Sequence, residues 1–225
     1  MIAATTAVRV TSLVLGIAAG IGAVYLARWV PPRMELEIRS RPLWWWTAAV
    51  VAGGAFGWVA APADAELVPA IAVFGAVTLA LALIDLDYQL IPNRVLFPGL
   101  GVSGVMLFGG ALLAGRGDGL LRGVLGAVIY FLLLLIVGLV ARGGFGMGDV
   151  KLALLLGLFL GFASWDSLGV GAVLAIVLGG VASLLLLVAR RSRKSKFAYG
   201  PFLVLGAWIA MAWGTQIADW YLRRG

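Results

Sequence analysis

The chain has 225 residues, of which 63% are apolar and 12% charged, and its mean hydropathy is +1.07. Soluble domains run near about 45–50% and 25% on those two counts, so this composition excludes an ordinary soluble protein and describes one integral to a membrane. With no cysteine and no histidine, disulfides, thiolate nucleophiles, Cys-bound zinc and imidazole acid–base chemistry are excluded, which leaves Asp, Glu, Ser, Thr, Tyr and Lys for any hydrolysis.

The apolar runs are continuous rather than alternating, which predicts an all-α polytopic protein and not a β-barrel. The first run is Val10 to Ala27, long enough to span and too long for a signal peptide. Arg28, Arg33, Arg39 and Arg41 follow it. A second run, Leu43 to Ala61, opens on Trp44-Trp45-Trp46, an interfacial aromatic belt. After the loop holding Asp64 and Glu66, a third run goes from Leu67 to Ile84 and meets Asp85-Leu-Asp87. The fourth run, Val95 to Ala114, follows Pro92-Asn93-Arg94 and carries Pro98 early, where a kink is expected. Arg116-Gly-Asp118-Gly is a tight turn into the fifth run, Leu120 to Ala141. Gly144, Gly146 and Gly148 alternate ahead of Asp149, Lys151 and a short sixth run, Leu152 to Ala163. A seventh run, Leu168 to Ala189, precedes the basic block Arg190 to Lys196, which reads as a topology signal and headgroup anchor. The eighth run is Pro201 to about Tyr221. About eight transmembrane helices are expected, in one domain covering residues 1–225, with residues of interest between 67 and 222.

Counting Lys and Arg with the N-terminus outside places twelve of the 17 basic residues inside and five outside, which sets that orientation by the positive-inside rule. The net charge of +7 is thus a matter of topology, and no nucleic acid is expected as a partner. Asp85, Asp87 and Asp149 then share the inner face.

A carboxylate near hydrocarbon costs about 2.5–3.5 kcal/mol at a helix centre by insertion scales, so these acids need a reason. Two carboxylates brought together share a proton, one acting as base toward a water and the other as acid toward a carbonyl. That chemistry needs no metal, cofactor, thiol or imidazole. The helix macrodipole favours the anion at Asp149, which starts a helix, and disfavours it at Asp85, which ends one, so Asp149 is expected to be the better base. The alternating glycines would leave helical geometry and allow positive φ, and an extended peptide could pair with them. Asp87, two residues from Asp85, points roughly opposite, so one of the two faces Asp149. Other readings stay open. Asp149 could be a helix cap, Asp85 and Asp87 solvated interfacial residues, and the glycines a linker or packing face. A proton- or ion-coupled transporter would also use intramembrane acids, though near the bilayer midplane and within an inverted repeat. A structural membrane subunit would tolerate Asp→Asn at both positions.

Laid out this way, the chain resembles the type IV prepilin peptidases, aspartic leader peptidases of the Gly-x-Gly-Asp membrane-protease group. The family's first pattern, an acid followed seven residues later by Pro and then Asp or Asn, is met by Asp85, Pro92 and Asn93, with Ile91 before the proline. Its second is met by Gly146, Gly148, Asp149, Lys151 and Leu152. Its third, Phe-Gly-Pro-(Phe/Tyr)-Leu, is matched by Tyr199-Gly200-Pro201-Phe202-Leu203, with Tyr in the first place. The resemblance implies Asp85 and Asp149 as the catalytic pair, with Gly146, Gly148, Lys151, Pro92, Asn93, Gly200 and Pro201 in support. It further implies removal of the leader from prepilins or pseudopilins, after a glycine, at the cytoplasmic face of a bacterial-type inner membrane. Lipid is the other partner. One departure is large: many members carry paired Cys-x-x-Cys motifs after the first span, associated with metal binding and N-methylation, whereas Arg28 to Pro42 is short and has no Cys. A peptidase without methyltransferase activity is therefore expected. Glu35 and Glu37 are weak candidates for attracting a basic leader.

Overall fold

The computed structural model describes residues 2–29, 41–61, 64–140, 146–188 and 198–222. The loop carrying Glu35 and Glu37, the basic block at 190–196 and Gly144 lie outside the described residues. Within them the chain forms helices α1 (Ile2–Trp29), α2 (Leu43–Val59), α3 (Val68–Tyr88), α4 (Asn93–Leu113), α5 (Asp118–Val140), α6 (Met147–Ala163), α7 (Trp165–Val188) and α8 (Gly200–Leu222). Every apolar run read from the sequence becomes a helix. Six of these, all but α2 and α6, are long and apolar enough to cross a membrane. The exceptions have 17 residues each, about 26 Å of helix at 1.5 Å per residue, at the short end of what a span requires. The protein is a multi-pass helical membrane protein.

Helices α3 and α6 occupy the centre. From Val77 to Asp85 every residue of α3 is buried, and α6 is buried from Leu155 to Phe162 without a break. Apolar residues on all sides suit an inner position, since no face has to meet a different solvent. The outer helices bury only a stripe: in α5 it is Gly119, Gly123, Gly126, Tyr130 and Leu134, at the three- and four-residue spacing of one helical face. Along that stripe α5 and α6 touch backbone to backbone. A Cβ on Gly126 would fall 2.6 Å from the Gly157 carbonyl oxygen, and one on Gly157 would fall 2.4 Å from that of Gly126. Where lipid removes the hydrophobic drive between helices, such close approach supplies the van der Waals contact that holds them. Arg122 completes the pair by donating from Nε to the Gly161 carbonyl and from Nη2 to that of Phe162, both at 2.7 Å, which satisfies carbonyls left open at the end of α6.

Aromatic rings knit the middle of the bundle. Phe74 of α3 stacks on Phe159 of α6, and Phe56 of α2 on Trp208 of α8, each at 4.3 Å between centroids. Trp208 Nε1 also donates to Thr78 Oγ1 at 3.0 Å. Pro98 lies inside α4 without ending it.

Of the helix boundaries that differ from the extents of the apolar runs, two bear on the acids. Helix α3 continues past Ile84 for another turn and stops at Gln89, whose φ of 52° is left-handed and whose N–H donates to the Asp85 carbonyl at 2.8 Å. Helix α6 starts at Met147, five residues ahead of its apolar run. Polar residues at the ends of spans remain helical because the backbone hydrogen bonds still need partners there.

Candidate active site

Asp85 lies in the last turn of α3 and Asp149 in the first turn of α6, at the same end of the bundle. Both are buried, 5% and 7% exposed, and their carboxylates are close enough for the charges to act on one another. Among the described residues neither is ion-paired. They stand within a turn of helix ends, not at mid-helix.

Each carboxylate is held by a backbone amide at the start of a helix. Gly146 is the N-cap of α6, with extended backbone (φ −72°, ψ 146°), and its N–H donates to Asp149 Oδ2 at 3.1 Å. Asp149 is therefore the third helical residue, reaching back to the cap, and not the cap itself. Gly200, the first residue of α8, donates its N–H to Asp85 Oδ2 at 2.9 Å. The expected asymmetry between the two acids, drawn from Asp85 lying at the negative end of α3, loses its basis, because Asp85 also faces the positive end of α8. Oδ1 of each acid makes no hydrogen bond among the described residues.

The surrounding glycines serve close approach rather than positive φ. Gly148 is helical, and a Cβ there would sit 2.9 Å from Ile91 Cβ; a Cβ on Gly200 would sit 2.9 Å from Asp85 Oδ2 and 3.3 Å from Ile91 Cδ1. Ile91, buried in the turn between α3 and α4, thus packs against both bare backbones and keys the starts of α6 and α8 to the end of α3. Gly146 leaves helical geometry as expected, with an extended backbone, but its φ is negative; at Gly148 the expectation is corrected, because that residue belongs to the helix.

The other expected residues divide between framework and neighbourhood. Pro92 caps α4, its carbonyl accepting from Val95 and Leu96 at 3.0 Å each. Asn93 Oδ1 accepts from Lys151 Nζ at 3.4 Å, tying α4 to α6. Pro201 follows Gly200 in the first turn of α8, where its missing N–H costs nothing. Asp87 turns away from the dyad and pairs with Arg41, which donates from Nε at 2.7 Å and also from Nη2. The Arg41 guanidinium lies 4.7 Å from the Trp45 ring centre, a cation–π contact. The contacts of Arg41, counted from the sequence as a topology signal, and of Ile91 go beyond the sequence expectation; a basic residue beside tryptophans and a β-branched residue in a motif turn are the cues that point to them. Among the described residues no group of three or more acidic side chains forms a metal site.

What the pair can do chemically follows. Two buried acids at one end of the bundle, each with one oxygen held by a helix-start amide, are the groups that shared-proton chemistry requires.

Comparisons with known proteins agree in direction. A family model described as the type IV leader peptidase family matches residues 72–188, a little over half of the chain and both acids. A protein of Aeromonas salmonicida is 34% identical over 157 residues, covering 65% of this chain and 50% of its own length. One from Pseudomonas putida is 35% identical over 144 residues, covering 62% and 48%, and one from Bacillus subtilis is 30% identical over 158 residues, covering 70% and 60%. All three are named prepilin leader peptidase/N-methyltransferase. The chain spans about half the length of the first curated relatives it matches. No solved structure matches it.

Proposed function

The chain belongs to the type IV leader peptidase family, and from that premise we propose that it is a membrane-embedded aspartic endopeptidase that removes leader peptides from prepilin-like or pseudopilin proteins. The observation that carries this reading is the pair Asp85 and Asp149, two buried carboxylates with no cation beside them among the described residues, each held through one oxygen by a helix-start amide. A lone buried anion is expensive, while two acids sharing one proton carry a single charge between them. In the reaction the ionised member takes a proton from water as its oxygen attacks the scissile carbonyl. The protonated member gives its proton to the carbonyl oxygen. As the tetrahedral species collapses, the acid that protonated the carbonyl oxygen takes a proton back from one of its hydroxyls while the other acid gives its proton to the departing nitrogen, so the C–N bond breaks and the pair returns to its starting state. The two roles belong to the pair as a unit.

Orientation is part of the proposal. The excess of Lys and Arg in the loops on the acid-bearing end supports a cytoplasmic active site in a bacterial-type plasma membrane, with lipid as the other partner and no nucleic acid. Cutting is expected just after a glycine that precedes the substrate's apolar segment. Methyl transfer, which the names of the relatives include, is not assigned to this chain, which has no cysteine.

The test is co-expression with a prepilin-like substrate. A shortened product with a new N-terminus is expected from the wild type, lost by a factor on the order of 10³ or more in Asp85→Asn and in Asp149→Asn. Near-normal turnover in either variant would sink the proposal. Finding the product N-methylated by the purified chain and a methyl donor would overturn the peptidase-only part.

A further inference from the structure

We infer that Tyr199 and Gly179 form a socket through which α7 fixes the Asp85 carboxylate, making both of them positioning residues for the dyad. This rests on the reading of Asp85 as a catalytic acid. The geometry runs through three consecutive steps. Tyr199 is buried, and its hydroxyl donates to the Ala175 carbonyl of α7 at 2.8 Å. One turn further along α7, the same ring fills the place of a Gly179 side chain: a Cβ there would lie 2.0 Å from Tyr199 Cε2 and 2.7 Å from Cζ. No residue but glycine leaves room for that ring. The Tyr199 carbonyl then accepts from Phe202 and Leu203 at 3.0 and 3.3 Å, which starts α8, and the next amide, Gly200 N–H, is the one on Asp85 Oδ2.

The tolerance at that last contact is small, because Gly200 has no space even for a methyl group between itself and Asp85. A displacement of the Tyr199 ring is therefore passed to the carboxylate rather than absorbed. The outward side of α7 does not share this role, since it exposes Val173, Ile176, Val177, Val181 and Leu184 and Gly180, next to the socket, faces open space. A misplacement of about 1 Å in a catalytic group is enough for a loss on the order of 10²-fold.

The experiment uses the full chain in lipid nanodiscs with a prepilin-like substrate, comparing Gly179→Ala, Tyr199→Phe, Tyr199→Ala, the Gly179→Ala/Tyr199→Ala double variant, Gly180→Ala and Asp85→Asn. Gly179→Ala is expected to lower kcat roughly 10- to 100-fold at unchanged KM, with Gly180→Ala at the wild-type value. Because the damage acts through the ring, the double variant is expected to be no worse than Tyr199→Ala alone. Tyr199→Phe keeps the plug and loses one bond, and is expected to lower kcat by about 2- to 5-fold with KM unchanged. Wild-type kcat in Gly179→Ala, or losses that multiply in the double variant, would overturn the socket. Should Gly179→Ala not be recovered folded, Tyr199→Phe decides, and wild-type kcat there rejects the inference. An active Asp85→Asn would instead remove the catalytic reading beneath it; an inactive Asp85→Asn beside an unaffected Gly179→Ala removes the socket alone.

Discussion

Gly200 shows how much a single absent side chain can decide. Its amide holds Asp85 Oδ2 at 2.9 Å, and a Cβ would come equally close to the same oxygen, so the contact that orients the acid also forbids any substituent. Gly200→Ala is expected to lower turnover by roughly 10- to 100-fold and, because its Cβ meets Asp85 and Ile91, to cost about 1–3 kcal/mol of overpacking read as a lower thermal midpoint. Asp87 makes the complementary point. Its motif neighbourhood offers two acids, and geometry separates them: Asp87 is held by Arg41 and directed away from Asp149. Asp87→Asn is expected to keep leader cleavage, whereas Arg41→Gln, which strands a largely buried carboxylate, is expected to cost about 1–3 kcal/mol in unfolding measurements without abolishing cleavage. Complete loss of cleavage in Asp87→Asn would mean that the two acids have been assigned the wrong way round. The placing of Asp85 and Asp149 at one end of the bundle was legible in the sequence, because each lies where an apolar run meets a polar segment. The Gly200 contact was not, since it joins positions 115 residues apart, and no local pattern reports which helix start will face which helix end.

At the scale of the helices, hydropathy located the eight α-helices of the described residues because each apolar run is long and most end on Pro, Gly or a charge. It could not rank them. Helices α6 and α7 are similarly rich in Leu, Val and Gly, yet one is buried on every side and the other faces outward along most of its length. Lipid and protein interior are equally apolar, so composition does not distinguish an inner helix from an outer one. The glycines of α5 and α6 were a cue, read as close packing, but not as this pair. Gly157→Val is expected to destabilise the protein by about 1–3 kcal/mol or more, read as a lower unfolding midpoint in detergent, because its Cβ would start 2.4 Å from a backbone oxygen. Thr78→Val removes the acceptor for Trp208 and is expected to cost less, about 0.6–1.7 kcal/mol, the range of hydrogen bonds between membrane helices. If the two substitutions proved equal, backbone contact would not be the stronger of the two links.

For the molecule as a whole, the arrangement brings two buried acids together within a membrane-spanning bundle. Four elements meet at one end of the bundle: the close of α3, the starts of α6 and α8, and the turn containing Ile91 that keys them together. Each acid is placed by a helix start, so the dyad depends on how α3, α6 and α8 are packed against one another and on the short Ile91 turn between them. That account is tested most directly by reconstituting the purified chain with a prepilin-like substrate and following the substrate N-terminus by mass spectrometry in wild type, Asp85→Asn, Asp149→Asn and Asp87→Asn. Cleavage after a glycine in the wild type and in Asp87→Asn, with none in the other two, is the predicted result. Cleavage that survives in Asp85→Asn or Asp149→Asn would contradict it.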